Sequence, residues 1–307
     1  MPTNFRNRDI LSISEFSKAD ILKVLEHAQR LKAARRPTLL QGQVLGSCFF
    51  EPSTRTRLSF ESAMQHLGGG VIGFADPNAT STKKGETLYD TIKIVSGYAD
   101  VITIRHYLEG AARRAAEASD KPIINCGDGA NQHPTQTLID LFTIAECQKK
   151  LNRLNVALVG DLKYGRTVHS LAQALVHFNA TLYLVAPDAL QLPTQASREL
   201  REQGVRFSCH RTIEEVIAKV DILYLTRIQE ERFGDPLDYE RVKNAFVLSN
   251  KQLGRARPNL RILHPLPRVH ELLPEVDATP YAQYFEQAHN GLFVREALLG
   301  LVLGKLK

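Results

Sequence analysis

The sequence predicts an α/β protein of two domains, each a mainly parallel sheet flanked by helices, with a cleft between the domains. Its 307 residues suit two domains better than one. Short apolar runs rich in β-branched residues alternate along the chain with helical patterns. Such alternation is typical of parallel sheets joined by right-handed crossovers.

The predicted elements follow one another in a regular order. Apolar runs predicted as strands lie at positions 44–50, 71–74, 101–105, 123–126, 156–159, 182–185, 222–226 and 262–264. Between them apolar residues recur at helical spacing, as at Phe60, Ala63, Met64 and Leu67. A helix over 134–150 links a first domain (1–133) to a second (151–284), each with about four strands. The opening helix covers about 17–33, and a closing helix at about 285–307 is expected to pack back on the first domain.

Composition argues against several classes of protein. The net charge is +6, but no basic run exceeds two residues, which does not favour a nucleic-acid binder. No stretch approaches the roughly 20 apolar residues of a membrane span, and the N-terminus does not resemble a signal peptide. The scattered cysteines, Cys48, Cys126, Cys147 and Cys209, predict buried free thiols rather than disulfides or a zinc site. We expect a cytoplasmic protein without a metal or cofactor.

Polar and basic side chains follow the predicted strands, at the point where each strand ends. In open α/β sheets, ligands bind beyond the carboxyl ends of the strands. The segments at these ends are 53–56, 105, 127–133, 161–166, 227 and 265–268. Because arginines stand singly at several of them, the pattern favours small anionic ligands over a polyanion.

Residues 53–56, here called the STRT turn, join a predicted strand to a predicted helix. Ser and Thr are good N-caps, and the free N–H groups of a helix start bind phosphate readily. Arg55 adds a two-pronged donor for an anion. The alternative is an ordinary capped helix with solvated arginines.

Two further segments suggest donors to a carbonyl oxygen. His133 precedes Pro134, which suits the first position of a helix, and Gln136 would lie in the first turn. A histidine at a helix N-terminus stays neutral and can donate a hydrogen bond, although a purely structural role is the alternative. Arg105 ends an apolar strand, so its charge needs either a ligand or an internal acidic partner.

The second predicted domain carries two more candidate arginines. Segment 160–167 nearly matches a P-loop but has Arg166 in place of the lysine, and it lacks the glycine pattern of a dinucleotide site. Arg227, followed by Gln229, comes directly after another apolar strand. Together the two arginines could bind two carboxylates in bidentate fashion, although either one alone could be a surface residue.

Two loops have less specific patterns. The polar loop, residues 77–86, could be a solvated loop or a lid that carries Ser81 and Lys84. The proline loop, residues 264–268, contains Pro265, Leu266 and Pro267 after a strand. A rigid turn of this kind exposes backbone carbonyls that suit an amino group, and a plain loop is the alternative.

Taken together, these segments resemble the catalytic chain of the aspartate carbamoyltransferase family. The matching motifs span most of the chain in the family's order, at 53–57, 84–87, 133–136, 160–170, 226–229 and 264–268. The resemblance implies a carbamoyl-phosphate domain followed by an aspartate domain. It also implies transfer of a carbamoyl group from carbamoyl phosphate to the α-amine of L-aspartate, an early step of pyrimidine biosynthesis. No cofactor is implied.

The resemblance also assigns roles to individual residues. It implies that Arg55, Thr56, Arg105 and His133 are catalytic. The residues implied to bind carbamoyl phosphate are Ser53, Thr54, Arg55, Thr56, Arg105, His133, Gln136, Pro265, Leu266 and Pro267. Those implied to bind aspartate are Lys84, Arg166, Arg227 and Gln229. Ser81 and Lys84 would come from a neighbouring subunit, which implies a homotrimer.

Two alternative functions and two departures from the family pattern accompany the resemblance. An ornithine carbamoyltransferase would tend to have cysteine at the positions of Thr135 and Pro265, and the Lys84-Gly85-Glu86 motif also favours aspartate. A catalytically inactive paralogue is a rival of another class, against which the full set of donors argues. His270 stands where many bacterial relatives have aspartate, and either Thr80 or Ser81 could be the lid hydroxyl, with spacing favouring Ser81. The sequence leaves open a regulatory chain, to which any structural zinc would belong.

Overall fold

Parallel strands in two separate sheets form the framework of the chain. The computed structural model describes residues 4–34, 36–229, 233, 235–243 and 245–307. The chain divides into two units, the first comprising Met1–Phe142 with His289–Lys307 and the second Thr143–Ala288. The division falls inside helix Pro134–Gln148, and helix Tyr284–Val302 begins in one unit and ends in the other.

The first unit contains a four-stranded sheet. Its strands are β1 (Val44–Phe49), β2 (Gly70–Phe74), β3 (Val101–His106) and β4 (Ile123–Asp128). They run parallel in the order β2-β1-β3-β4. β1, β3 and β4 are nearly fully buried, which explains why they are continuous apolar runs in the sequence.

Helices connect these strands and cover the sheet. They are α1 (Lys18–Ala33), α2 (Arg55–His66), α3 (Leu88–Ser96), α4 (Ala111–Ala118) and α5 (Pro134–Gln148). α1 begins with a capping box in which Ser17 and Asp20 satisfy each other's backbone N–H groups. The predicted apolar face of α2 is confirmed, since Phe60, Ala63 and Met64 are fully buried.

The second unit contains a five-stranded sheet in the order β7-β6-β5-β8-β9, again parallel. Its strands are β5 (Asn155–Val159), β6 (Thr181–Val185), β7 (Arg206–His210), β8 (Ile222–Leu225) and β9 (Arg261–Leu263). Its helices are α6 (Arg166–Leu175), α7 (Thr194–Glu202), α8 (Pro236–Val242) and α9 (Asn250–Leu253), and α10 (Tyr284–Val302) starts here. The predicted α/β class with two mainly parallel sheets is confirmed.

Strand β7 was not among the predicted strands, so the expectation of about four strands in each domain is wrong for the second unit. β7 lies at the edge of its sheet and is largely exposed. β7 needs no continuous apolar run, because only one of its sides is paired and little of it is buried. The polar sequence Arg206-Phe207-Ser208-Cys209-His210 therefore gave no strand signal.

The structure also corrects the expectation for the cysteines. Cys48 and Cys126 are buried free thiols, and burial raises the pKa of each to about 12. Cys147 is half-buried, and Cys209, on the edge strand β7, is exposed. The prediction of buried thiols is thus correct for Cys48 and Cys126 and wrong for Cys209.

Strand order defines where each unit presents polar groups. The chain moves from β1 to β2 on one side and returns to β3 on the other, so the order reverses between β1 and β3. In the second unit the same reversal falls between β5 and β8. Crevices for ligands form outside the carboxyl ends of strands at such reversals.

Candidate functional site

The STRT turn connects the end of β1 to the start of α2. Thr54 is the residue before the helix and has φ −76° and ψ −59°, with no hydrogen bond from its side chain to the helix. The expected side-chain cap is therefore absent at Thr54. Thr54 and Arg55 are exposed, Ser53 is half-buried and Thr56 is buried. The start of α2 consequently presents hydroxyl and guanidinium groups beside its N-terminal dipole.

Arg105 lies at the end of β3, next to β1. Its Nε donates to Glu51 Oε2 at 3.0 Å, so the internal ion pair that was an alternative to ligand binding is present. The bond uses Nε and not the two Nη groups. The guanidinium is thus held by Glu51 while its Nη edge keeps the geometry for an oxygen ligand.

His133 and Gln136 stand at the start of α5, which follows β4. His133 is buried, and its carbonyl accepts from the Gln136 N–H at 3.0 Å, as expected at a helix start with Pro134 in first position. The Gln136 side chain donates from Nε2 to Asp140 Oδ1 at 2.8 Å. Because its amide nitrogen is committed to a carboxylate, Oε1 is the end of Gln136 that can accept from a ligand.

A residue that sequence reasoning missed supports the STRT turn through hydrogen bonds to the first turn of α2. Arg295, on α10, is only 3% exposed, and its Nη1 donates to Ser59 Oγ at 2.5 Å. Ser59 in turn donates to the Arg55 carbonyl at 2.5 Å. Burial lowers the pKa of Arg295 to about 10, so it stays charged at neutral pH. A buried cation thus lies behind the first turn of α2.

In the second unit, Asp161 joins the ends of β5 and β8. It is fully buried and accepts from the backbone N–H groups of Lys163 (3.1 Å), Tyr164 (2.9 Å) and Gln229. Burial raises the pKa of its carboxyl, and these three bonds act in the opposite direction. Sequence reasoning gave Asp161 no role, because its bond to Gln229 spans a long stretch of chain.

These bonds bring the predicted arginine sites of the second unit to neighbouring strand ends. Arg166 is the first residue of α6 and is 8% exposed, whereas Arg227, after β8, is half-buried. Gln229 is also half-buried, and its backbone is tied to Asp161. The turn from β5 is tight at Gly160 (φ +117°), where an added Cβ would lie 2.3 Å from the Thr226 carbonyl oxygen. Only glycine permits this approach of the two loops.

The proline loop follows β9. Leu266 has a left-handed backbone (φ 55°), and the Leu266–Pro267 bond is cis. Arg268 is bound to Asp277 through both Nη groups, with Nη2 to Oδ2 at 2.7 Å, and contacts the Tyr284 ring. His270 is exposed, and its backbone N–H donates to Glu271 at 3.1 Å.

The two candidate hydroxyls of the polar loop, those of Thr80 and Ser81, have different surroundings. Thr80 donates from Oγ1 to the Pro77 carbonyl at 2.7 Å and accepts from the Thr82 N–H, capping the 3₁₀ helix Ser81–Lys84. Ser81 and Lys84 are exposed. Because the Thr80 hydroxyl is engaged in its own loop, Ser81 is the hydroxyl better placed to meet a ligand outside it.

Neither a metal centre nor a membrane span is found in the part of the chain that the structure describes. Within it, no three His, Cys, Asp or Glu side chains are grouped so as to hold a metal ion. None of the described helices is long and apolar enough to cross a bilayer.

Two protein-family models together match nearly the whole chain. Residues 8–146 match the model for the aspartate/ornithine carbamoyltransferase carbamoyl-P binding domain, and residues 152–302 match that for the Asp/Orn binding domain. The chain belongs to the aspartate/ornithine carbamoyltransferase family.

Relatives of this family member are similar over almost their full length. The aspartate carbamoyltransferase catalytic subunit of Bacteroides thetaiotaomicron is 56% identical over 299 residues, covering 97% of this chain and 96% of the relative. That of Chromobacterium violaceum is 54% identical over 298 residues, covering 97% and 98%.

Solved structures of the same family share the fold. The aspartate transcarbamoylase of Trypanosoma cruzi in complex with N-(phosphonacetyl)-L-aspartic acid has a TM-score of 0.91 and 40% identity, covering 97% of both chains. The catalytic subunit of M. jannaschii aspartate transcarbamoylase has a TM-score of 0.89 and 45% identity, covering 97% of this chain and 98% of that one.

The carbamoyltransferase site residues predicted from the sequence fall into groups in this structure. The group at the ends of β1, β3 and β4 comprises Ser53, Thr54, Arg55, Thr56, Arg105, His133 and Gln136. The group at the ends of β5, β8 and β9 comprises Arg166, Arg227, Gln229, Pro265, Leu266 and Pro267. Ser81 and Lys84 lie apart from both groups, in the polar loop between β2 and α3.

Proposed function

We propose that this chain transfers the carbamoyl group of carbamoyl phosphate to the α-amine of L-aspartate, giving N-carbamoyl-L-aspartate and phosphate. This would be an early step of pyrimidine biosynthesis. The proposal is carried by one observation: anion-binding groups end the strands of the first unit, and a pair of arginines ends those of the second. Relatives 54–56% identical, named aspartate carbamoyltransferase catalytic subunits, favour aspartate over ornithine.

The first unit would bind carbamoyl phosphate. The phosphate group would accept from the start of α2 and from the side chains of Ser53, Thr54, Arg55 and Thr56. Such a helix start combines N–H donors with a positive dipole end, and Arg55 adds a charge. The buried Arg295 behind the turn supports this by adding positive potential where a dianion is bound.

The carbonyl of the substrate would be polarised by Thr56, Arg105 and His133. Negative charge develops on this oxygen when an amine attacks the carbon, and fixed donors stabilise it without reorganising. Glu51 supports this role, because its bond to Nε fixes the guanidinium plane of Arg105. The carbamoyl NH₂ would donate to Gln136 Oε1 and to the backbone carbonyls around Pro265, Leu266 and Pro267.

The second unit would bind aspartate. Arg166 and Arg227 would each form a bidentate pair with a carboxylate, with Gln229 and Lys84 as further donors. The neutral α-amine forms the new C–N bond and loses a proton, while the C–O bond to phosphate breaks. Catalysis then consists of positioning and charge stabilisation.

A product assay with both candidate amino acids tests the proposed function. We expect N-carbamoyl-L-aspartate and phosphate in equal amounts when carbamoyl phosphate and L-aspartate are supplied, after subtraction of the hydrolysis seen without an amino acid. Citrulline formed from L-ornithine instead would assign the chain to the rival specificity. Amino-acid-independent phosphate release alone would indicate an inactive paralogue.

A homotrimer with a shared active site is part of the proposal. In the polar loop, Ser81 and Lys84 are exposed, which suits a contribution to a neighbouring subunit's site. Large exposed side chains on β2, in α3 and just after it, Ile72, Ile94 and Tyr98, suit a contact between copies of the first unit.

Light scattering coupled to size exclusion checks the assembly. We expect an active species with three times the 34.4 kDa chain mass. A stable monomer with full specific activity would refute the shared site.

A cytoplasmic location also belongs to the proposal. The cysteines Cys48, Cys126, Cys147 and Cys209 are free. Free thiols are typical of proteins in a reducing compartment.

A further inference from the structure

His264 forms two directed hydrogen bonds inside the second unit. Its side chain is 1% exposed and lies directly after β9. Ring nitrogen Nδ1 accepts from the Leu266 N–H at 2.8 Å, so Nδ1 carries no proton. Nε2 therefore carries the proton and lies 2.8 Å from Glu271 Oε1, to which it donates. The two bonds fix both the tautomer and the orientation of the ring.

Glu271 accepts the second hydrogen bond of the His264 ring. Its carboxylate also accepts from the N–H groups of Val269 (3.2 Å) and His270 (3.1 Å). Burial raises the pKa of the Glu271 carboxyl, but the bond from His264 and the backbone donors outweigh this and hold the pKa below its ordinary value. Glu271 is thus an anion that holds the ring in place.

The bond to Nδ1 determines where a neighbouring carbonyl points. In a trans peptide the N–H and C=O groups point in opposite directions. Since the Leu266 N–H is directed at the buried ring, the Pro265 carbonyl is directed away from it. Leu266 has a left-handed φ of 55°, which a leucine adopts at a cost, so its conformation needs such a restraint.

We propose that His264 is a positioning residue that presents the Pro265 carbonyl to the carbamoyl NH₂ group. The ring does not touch the substrate but acts through the Pro265–Leu266 peptide, and Glu271 holds the ring. The inference rests on the proposed function and deepens it, because it names the residue that orients the Pro265 carbonyl for this contact.

Two substitutions separate the two bonds of the ring. In His264→Asn the side-chain oxygen can take the place of Nδ1, so the acceptor for the Leu266 N–H is kept. In His264→Gln the amide nitrogen can take the place of Nε2, so the donor to Glu271 is kept and the acceptor is lost. We expect the KM for carbamoyl phosphate to rise about tenfold in His264→Gln and less than about threefold in His264→Asn. The KM for aspartate should stay unchanged in both variants.

Acetyl phosphate provides a readout that a merely structural role would not give. It has a methyl group where carbamoyl phosphate has NH₂, so it cannot donate to the Pro265 carbonyl. We expect its inhibition constant, measured against carbamoyl phosphate, to be the same in wild type and His264→Gln. Thermal unfolding of each variant, monitored by circular dichroism, verifies that it is folded.

The outcomes are distinguishable from failure of the proposed function. If wild type forms no carbamoylaspartate, the proposed function is wrong. If wild type is active and the two variants raise the KM equally, or acetyl phosphate weakens together with carbamoyl phosphate, the inference alone is wrong. Should His264→Gln not fold, Glu271→Gln loosens the ring instead. The KM for carbamoyl phosphate is then expected to rise about two- to fivefold, which is about half the effect of a lost hydrogen bond, while the inhibition constant of acetyl phosphate stays the same. The absence of such a selective rise in Glu271→Gln would overturn the inference.

Discussion

Arg55→Ala is expected to lower the kcat of carbamoyl transfer by about 100- to 1,000-fold, the usual cost of removing one donor to a developing negative charge. Arg55 begins α2 and is exposed, so its truncation leaves no cavity in the core. We therefore expect a thermal midpoint close to that of wild type. Steady-state phosphate release, corrected for spontaneous hydrolysis of carbamoyl phosphate, measures the effect.

Arg57→Ala is the matched control on the same helix. Its guanidinium is bound to Glu61 at 3.2 Å, an i,i+4 pair worth little to stability. Removing the same charge one position beyond Thr56 should change kcat by less than about threefold. Transition-state stabilisation is lost only when the removed donor contacts the reacting group. Near-normal turnover of Arg55→Ala, or an equal loss in both variants, would contradict the role given to Arg55.

Arg227→Ala is expected to raise the KM for aspartate by about 10- to 100-fold while the KM for carbamoyl phosphate changes little. A hydrogen bond between charged groups contributes about 1.5–3 kcal/mol, and this variant loses a whole guanidinium. Arg227 suits the test better than Arg166, since it is half-buried, whereas Arg166 is 8% exposed and starts a helix. Initial rates over a range of aspartate concentrations give both constants.

Arg227→Lys and Arg211→Ala are the control variants for that result. Lysine keeps the charge but not the planar fork, so the KM for aspartate should stay raised. Arg211 belongs to the same unit and pairs with Asp188 at 2.7 Å on the surface, so its removal should leave the KM unchanged. If Arg227→Ala binds aspartate normally, or loses affinity for carbamoyl phosphate instead, Arg227 does not hold a carboxylate of aspartate.

Much of the fold was predictable because burial leaves a direct trace in the sequence. The central strands β1, β3, β5 and β8 are buried along almost their whole length and appear as continuous apolar runs. The edge strand β7 has no such trace, so neither the strand nor the exposure of Cys209 could be read from its residues.

The candidate site was predictable where its residues form short motifs at strand ends. Partners brought from elsewhere in the chain were not, because nothing local marks them. Glu51 lies 54 residues from Arg105, and Arg295 lies 236 residues from Ser59. His264 belongs to a predicted motif, but its bond to Glu271 needed the structure, since Glu271 lies outside that motif.

The position of Arg295 has a consequence for how the protein is made. Its guanidinium occupies space left by Gly291, where an added Cβ would lie 2.5 Å from Nη1, and from there it reaches Ser59 on α2. The ribosome synthesises α10 long after the STRT turn. A nascent chain therefore completes the support for that turn only after Arg295 has emerged, and a chain stopped before Arg295 would leave Ser59 without its donor.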